Sequence, residues 1–128
     1  VAPDKTIIST GYNGFPRGIE DKAEVYADRE KKYSRVIHAE MNAILSSPLS
    51  LKGTCMYLTH PPCDRCAPHI IQSGVKEVVF SGCDQQYFDR WHESMEKAAD
   101  IFEEADVRVW AMNESLFVDP RNLHTDCC

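Results

Sequence analysis

Long apolar runs are absent from this chain: no stretch approaches the roughly 18 residues that cross a membrane. Basic residues are scarce as well. Lysine and arginine number 14 against 20 aspartates and glutamates, which leaves a formal net charge of −6. That balance weighs against nucleic acid as the main partner, because its binders usually present a basic face. Glycine and proline, 6 and 7 residues, are too few for a collagenous or low-complexity chain. No secretory leader is visible, and no repeat or linker divides the sequence. What is there is an ordinary globular composition, 43% hydrophobic and 27% charged over 128 residues. We therefore expect residues 1–128 to form one domain with a real core, and 113–128 to be an extended tail.

Cysteine is plentiful by comparison. Six in this length would allow a disulfide framework, but Cys63 and Cys66 stand at metal-ligand spacing. Cys55 and Cys83 lie in or beside strand-like apolar runs, where free cysteine packs well. Cys127 and Cys128 fall in the tail. A reducing, cytoplasmic setting fits this usage better than secretion.

Helical and strand patterns alternate along the chain. Strands are expected at Thr6–Thr10, Thr54–Thr59, Lys76–Ser81 and Val107–Met112. Helices are expected at His38–Ser46, stopped before Pro48, at Cys63–Ser73, ended by Gly74, and at Gln86–Ala105. Asp21 to Arg35 reads as a short helix or an ordered loop. This order indicates an α/β sandwich on a mostly parallel or mixed sheet. Pro3-Asp4-Lys5 resembles a hairpin turn whose first strand is missing or truncated. A strand and helix upstream are expected, the strand pairing with Thr6–Thr10.

The chemistry is concentrated in His38-Ala39-Glu40 and Pro62-Cys63-Asp64-Arg65-Cys66. One imidazole and two thiolates supply three ligands for a tetrahedral zinc and leave a fourth position open to water, as catalytic rather than structural sites do. Cysteines at helix starts ionise more readily, and their i, i+3 spacing puts both sulfurs on one face. Glu40, two residues after the histidine, can reach the site without binding metal. It would move protons to and from a water at the open zinc position. H-x-E followed by P-C-x-x-C is the signature of zinc nucleobase deaminases. The competing reading is a structural zinc knuckle with Cys55 or His60 as fourth ligand; it leaves Glu40 as a dipole-favoured surface residue with no task.

Three segments together resemble deoxycytidylate (dCMP) deaminases: Gly11-Tyr12-Asn13-Gly14-Phe15-Pro16-Arg17-Gly18, His38 to Leu45, and Pro62 to Ala67. The likeness extends over most of residues 6 to 112. It implies a three-layer α/β/α cytidine-deaminase-like sandwich with a mixed central sheet, one Zn2+ per subunit and a homo-oligomer. It implies hydrolysis of dCMP to dUMP, with dCTP and dTTP as possible effectors. Carried onto this sequence, it makes His38, Cys63 and Cys66 the metal ligands and Glu40 the proton donor. Asn13, Ala39 and Tyr87 become the substrate contacts. Asn13 also has a plain reading as a turn residue, and Tyr87 as a packed or surface tyrosine. The doubled proline at Pro61-Pro62 departs from many relatives and leaves the task of His60 open.

Other residues have simpler readings. His69 and His92 suit helix surfaces, and a second metal site from His92, His124, Cys127 and Cys128 is the weaker alternative. Arg29, Lys31, Lys32 and Arg35 form either a phosphate clamp or a solvated helical face. Deamination of a free nucleoside or of RNA uses the same metal chemistry and stands as the second function; an inactive zinc-binding interaction module is the third.

Overall fold

The computed structural model describes residues 1–112. In chain order these form α1 (Ala23–Ala27), α2 (Arg29–Arg35), α3 (Ala39–Ser46), β1 (Cys55–Leu58), α4 (Ala67–Gln72), β2 (Glu77–Phe80), α5 (Gln85–Glu104) and β3 (Arg108–Ala111). The three strands run parallel in the order β1-β2-β3. Parallel neighbours require long crossovers, which α4 and α5 supply. Among the described residues no antiparallel strand joins this sheet; Val1 meets Cys55 of β1 through backbone hydrogen bonds of 2.7 and 2.9 Å.

Alternation along the strands decides what each face does. Val78, Phe80, Val109 and Ala111 point to one side and join Ile70 of α4 with Met95, Ala98 and Phe102 of α5 in a single core. Met41 and Ile44 of α3 pack against that core. Phe80, Phe102 and Ile70 are fully buried, each contributing about 1.5–3 kcal/mol through burial. Trp91, Met95, Ala98 and Phe102 recur at helical spacing, so α5 lies along the sheet by one apolar stripe. Asp84 fixes its start by accepting the Tyr87 N–H at 2.7 Å.

Two expected elements form differently. Thr6–Thr10 is not a strand: none of its residues joins a ladder among the described residues, and Ile7 is 67% exposed. The segment is held instead by scattered bonds: the Ala2 N–H donates to the Thr6 carbonyl at 2.9 Å and the Ser9 hydroxyl to the Ala43 carbonyl at 2.8 Å. The expected turn before it does form, with the Lys5 N–H donating to the Ala2 carbonyl at 2.9 Å. The helix expected from Cys63 begins only at Ala67, with Cys66 as its N-cap. Cys63 to Cys66 is a turn, closed by Cys66 N–H to Cys63 O at 3.2 Å and Ala67 N–H to the same oxygen at 3.1 Å. Pro68 falls in the first helical turn, where its missing N–H costs nothing. The Asp21–Arg35 stretch resolves into α1 and α2, broken at Asp28, whose side chain caps α2 by accepting the Lys31 N–H.

Gly74 stops the chain after α4 in a left-handed conformation, φ 93°, and a Cβ there would lie 2.8 Å from the Lys52 Cα. Only glycine meets both demands.

Candidate metal centre and its cavity

His38 is the N-cap of α3 with extended backbone, and its ring does not cap the helix. The ring turns toward the Cys63–Cys66 turn. Its Nδ1 lies 3.4 Å from the Cys63 Sγ and 3.4 Å from the Cys66 Sγ, and the three donor atoms all fall within 4.8 Å of one another. Bonds of 2.3 Å to sulfur and 2.0–2.1 Å to nitrogen at a tetrahedral angle give an N···S edge of about 3.5 Å. The donors therefore already stand at zinc spacing, and the sulfur-and-imidazole set is the chemistry zinc selects.

The protonation pattern follows from these contacts. The Cys66 thiol, hydrogen-bonded to the Cys63 sulfur, and the His38 ring beside it bring the Cys63 pKa down to about 4. The same hydrogen bond, together with burial, pushes the Cys66 thiol well up. The hydrogen bond to Cys63 raises His38 above the ordinary imidazole range. Without metal, one thiolate is thus shared between two proton donors.

The fourth ligands required by a zinc knuckle are engaged elsewhere. The His60 ring stacks on Tyr87 at 4.4 Å and 23°, with its Nδ1 3.1 Å from the Thr59 hydroxyl. Cys55 stands at the start of β1, outside the donor group. The His69 Nδ1 lies 3.0 Å from the Arg65 carbonyl in the turn before α4, and the His92 Nδ1 3.1 Å from the Phe88 carbonyl within α5. His124, Cys127 and Cys128 lie outside the described residues. None of the described cysteines, Cys55, Cys63, Cys66 and Cys83, is in a disulfide.

A cavity of about 500 Å³ opens beside the metal ligands, with Asn13, Glu40, Leu58, His60, Tyr87 and Trp91 in its wall. Glu40 sits in the first turn of α3. Burial raises its carboxyl pKa above the usual carboxylate range, which suits a group that must both take and give a proton. Tyr87 donates its hydroxyl to the Pro61 carbonyl at 3.0 Å, and burial pushes its phenol well up, so it remains a donor.

The glycine-rich turn is stitched to α3. The Asn13 Oδ1 accepts the Ala39 N–H at 2.8 Å, and the Asn42 side-chain amide donates to the Tyr12 carbonyl at 3.0 Å. Gly14 and Ile37 form an antiparallel bridge. The Asn13 Oδ1 thereby ties the turn to the helix that carries Glu40 and occupies the Ala39 N–H, and both residues line the cavity. Gly11 is what permits this approach: a Cβ there would collide with the Ala39 carbonyl oxygen and lie 2.6 Å from the Ala43 nitrogen. Gly11→Ala is expected to lower stability by about 1–3 kcal/mol, as overpacking does, read as a lower midpoint in denaturant.

Arg29, Lys31, Lys32 and Arg35 do not reach the cavity. Arg29 lies over the Tyr33 ring at 5.2 Å, and the Arg35 Nη1 donates to the Lys31 carbonyl at 3.1 Å. Arg29 and Lys31 are exposed, Lys32 and Arg35 half-buried, and no lysine or arginine lines the cavity among the described residues. Two contributors were not legible beforehand. Trp91 is one turn beyond Tyr87 on α5, where the amphipathic period would have found it. Ser94 meets Asp64 across 30 positions, a pairing that only the folded chain reveals.

Residues 1–82 match the family model described as the cytidine and deoxycytidylate deaminase zinc-binding region. The chain belongs to this deaminase family. An uncharacterised deaminase in the luxG 3′ region of Aliivibrio fischeri is 40% identical over 103 residues, 80% of this chain and 69% of that protein. Human deoxycytidylate deaminase is 37% identical over 105 residues, 77% of this chain and 56% of the enzyme. The chain thus spans little more than half the length of that relative. The crystal structure of cyanophage S-TIM5 dCMP deaminase in complex with dCMP and dUMP is similar with a TM-score of 0.59 at 27% identity, over 84% of this chain and 74% of that one. The donor spacing and the family's zinc-binding region agree on the metal: the deaminase cofactor is zinc, and His38, Cys63 and Cys66 are positioned to hold it. No helix among the described residues is long and apolar enough to cross a membrane.

Proposed function

We propose that this chain hydrolyses dCMP to dUMP and ammonia. The observation that carries the reading is Glu40, its carboxyl raised by burial, on the wall of the cavity that opens at the His38–Cys63–Cys66 donor set. Bound zinc supplies Lewis acidity, bringing the pKa of water from 15.7 toward about 7. The protein's own residues do the rest. Glu40 accepts a proton from the attacking water and delivers it to the ring nitrogen beside the amine-bearing carbon. It then passes the second proton to the amine, so that the C–N bond breaks, ammonia leaves and the water oxygen remains as the uracil carbonyl. The Asn13 NH2 is a donor for a sugar hydroxyl, and the Tyr87 ring, backed by His60, offers a face for the base. The names of the human and cyanophage relatives support a nucleotide over a nucleoside substrate.

Parallel steady-state kinetics test the substrate. We expect kcat/KM for dCMP to exceed that for deoxycytidine, in keeping with the substrate named for the human and cyanophage relatives. Equal efficiencies would make the chain a nucleoside deaminase. The same assay with dCTP and dTTP tests whether either acts as an effector, and sedimentation of the same sample tests for a homo-oligomer.

A further inference from the structure

The turn that carries both sulfur ligands is gripped from α5. The Asp64 backbone N–H donates to the Ser94 Oγ at 3.0 Å, and the Ser94 hydroxyl donates back to the Asp64 Oδ1 at 2.7 Å. A serine hydroxyl is donor and acceptor at once, so one side chain fixes both the backbone and the carboxylate of Asp64.

That amide belongs to the peptide unit joining Cys63 to Asp64, and the unit is planar. Holding its N–H therefore sets the direction of the Cys63 carbonyl. This carbonyl accepts from the Cys66 N–H at 3.2 Å and the Ala67 N–H at 3.1 Å. The constraint thus passes from Ser94 through one peptide plane to the residue bearing the second sulfur. Ser94 itself is held in place, because the next residue, Met95, is 1% exposed in the core. Two turns earlier on α5, Tyr87 grips the preceding stretch through the Pro61 carbonyl at 3.0 Å, seven residues being about two helical turns.

We propose that Ser94 is a positioning residue for the metal centre, holding the Cys63 and Cys66 sulfurs at zinc spacing through Asp64. The proposal rests on the reading of His38, Cys63 and Cys66 as ligands. Partners behind metal ligands typically carry a 10–100-fold share of metal affinity.

The test is zinc affinity by chelator competition on the purified chain, with cobalt-substituted protein as the spectroscopic readout. Ser94→Ala is expected to weaken zinc binding about 10–100-fold and to shift the thiolate-to-cobalt charge-transfer band. Ser94→Thr keeps a hydroxyl and is expected to restore most of the affinity. Asp64→Ala keeps the backbone N–H bond to Ser94 and loses only the carboxylate contact, so it is expected to weaken binding less than Ser94→Ala, and the double variant to match Ser94→Ala, which already removes both contacts. A merely structural role would lower the unfolding midpoint and leave the affinity and the cobalt spectrum of the folded protein unchanged; that result overturns the proposal. So does a double variant whose losses multiply. A parent chain that takes up no zinc would overturn the ligand reading together with the proposal, and is recognised before any variant is made.

Discussion

Glu40→Gln is expected to lower kcat on dCMP by about 10²–10⁴-fold while zinc content and unfolding midpoint stay those of the parent chain. Glutamine preserves the shape and the hydrogen-bonding oxygen but cannot take a proton. The site asks one carboxyl to handle more than one transfer, so the loss belongs at the upper end of that range. Burial already raises this carboxyl above the usual carboxylate range, as suits a group that both takes and gives a proton. Its place in the first turn of α3 ties it to His38, one residue before the helix, so the proton carrier and a metal ligand share one rigid mount. A variant that kept a tenth of the parent kcat would remove Glu40 from the chemistry.

Removal of zinc by a chelator is expected to abolish turnover, and stoichiometric zinc to restore it. Affinity should fall steeply in acid. The metal needs a neutral His38 and two thiolates, whereas the metal-free centre holds Cys63 ionised, at about 4, with Cys66 and His38 both shifted upward. Groups whose pKa is raised in the free protein keep their protons to higher pH. Zinc must displace those protons, so acid favours the free state and alkali the bound one. Up to about two protons should leave per zinc bound. Calorimetry in buffers of different ionisation enthalpy counts them, and an affinity unchanged between about pH 6 and pH 8 would contradict this account.

What could be read from the residues alone was mostly local. The metal ligands and Glu40 announce themselves because their chemistry depends on short spacings, H-x-E and C-x-x-C, that survive without a fold. The strands β1, β2 and β3 and the helix α5 were visible because burial imposes a period on the sequence. The start of α4 was not, since a tight turn of four residues and a helix share i, i+3 spacing; the Cys63–Cys66 turn satisfies both patterns. Thr6–Thr10 has strand-forming residues, but a strand also needs a partner, and propensity cannot supply one. The Asn13 contact with Ala39 spans 26 positions. Its dual service, capping a helix while facing the cavity, has no signature in a linear motif. The basic residues of α2 were open to two readings, because proximity to His38 in sequence does not decide whether a side chain reaches the cavity; none of them lines it.

The measurement that bears most directly on the central claim is a zinc titration of metal-free protein, followed as dUMP formed from dCMP. The account predicts that turnover rises linearly and saturates at one zinc per chain, with Cys63→Ala and Cys66→Ala flat throughout. Turnover that persists without zinc, or a fully loaded protein that leaves dCMP intact, would contradict it.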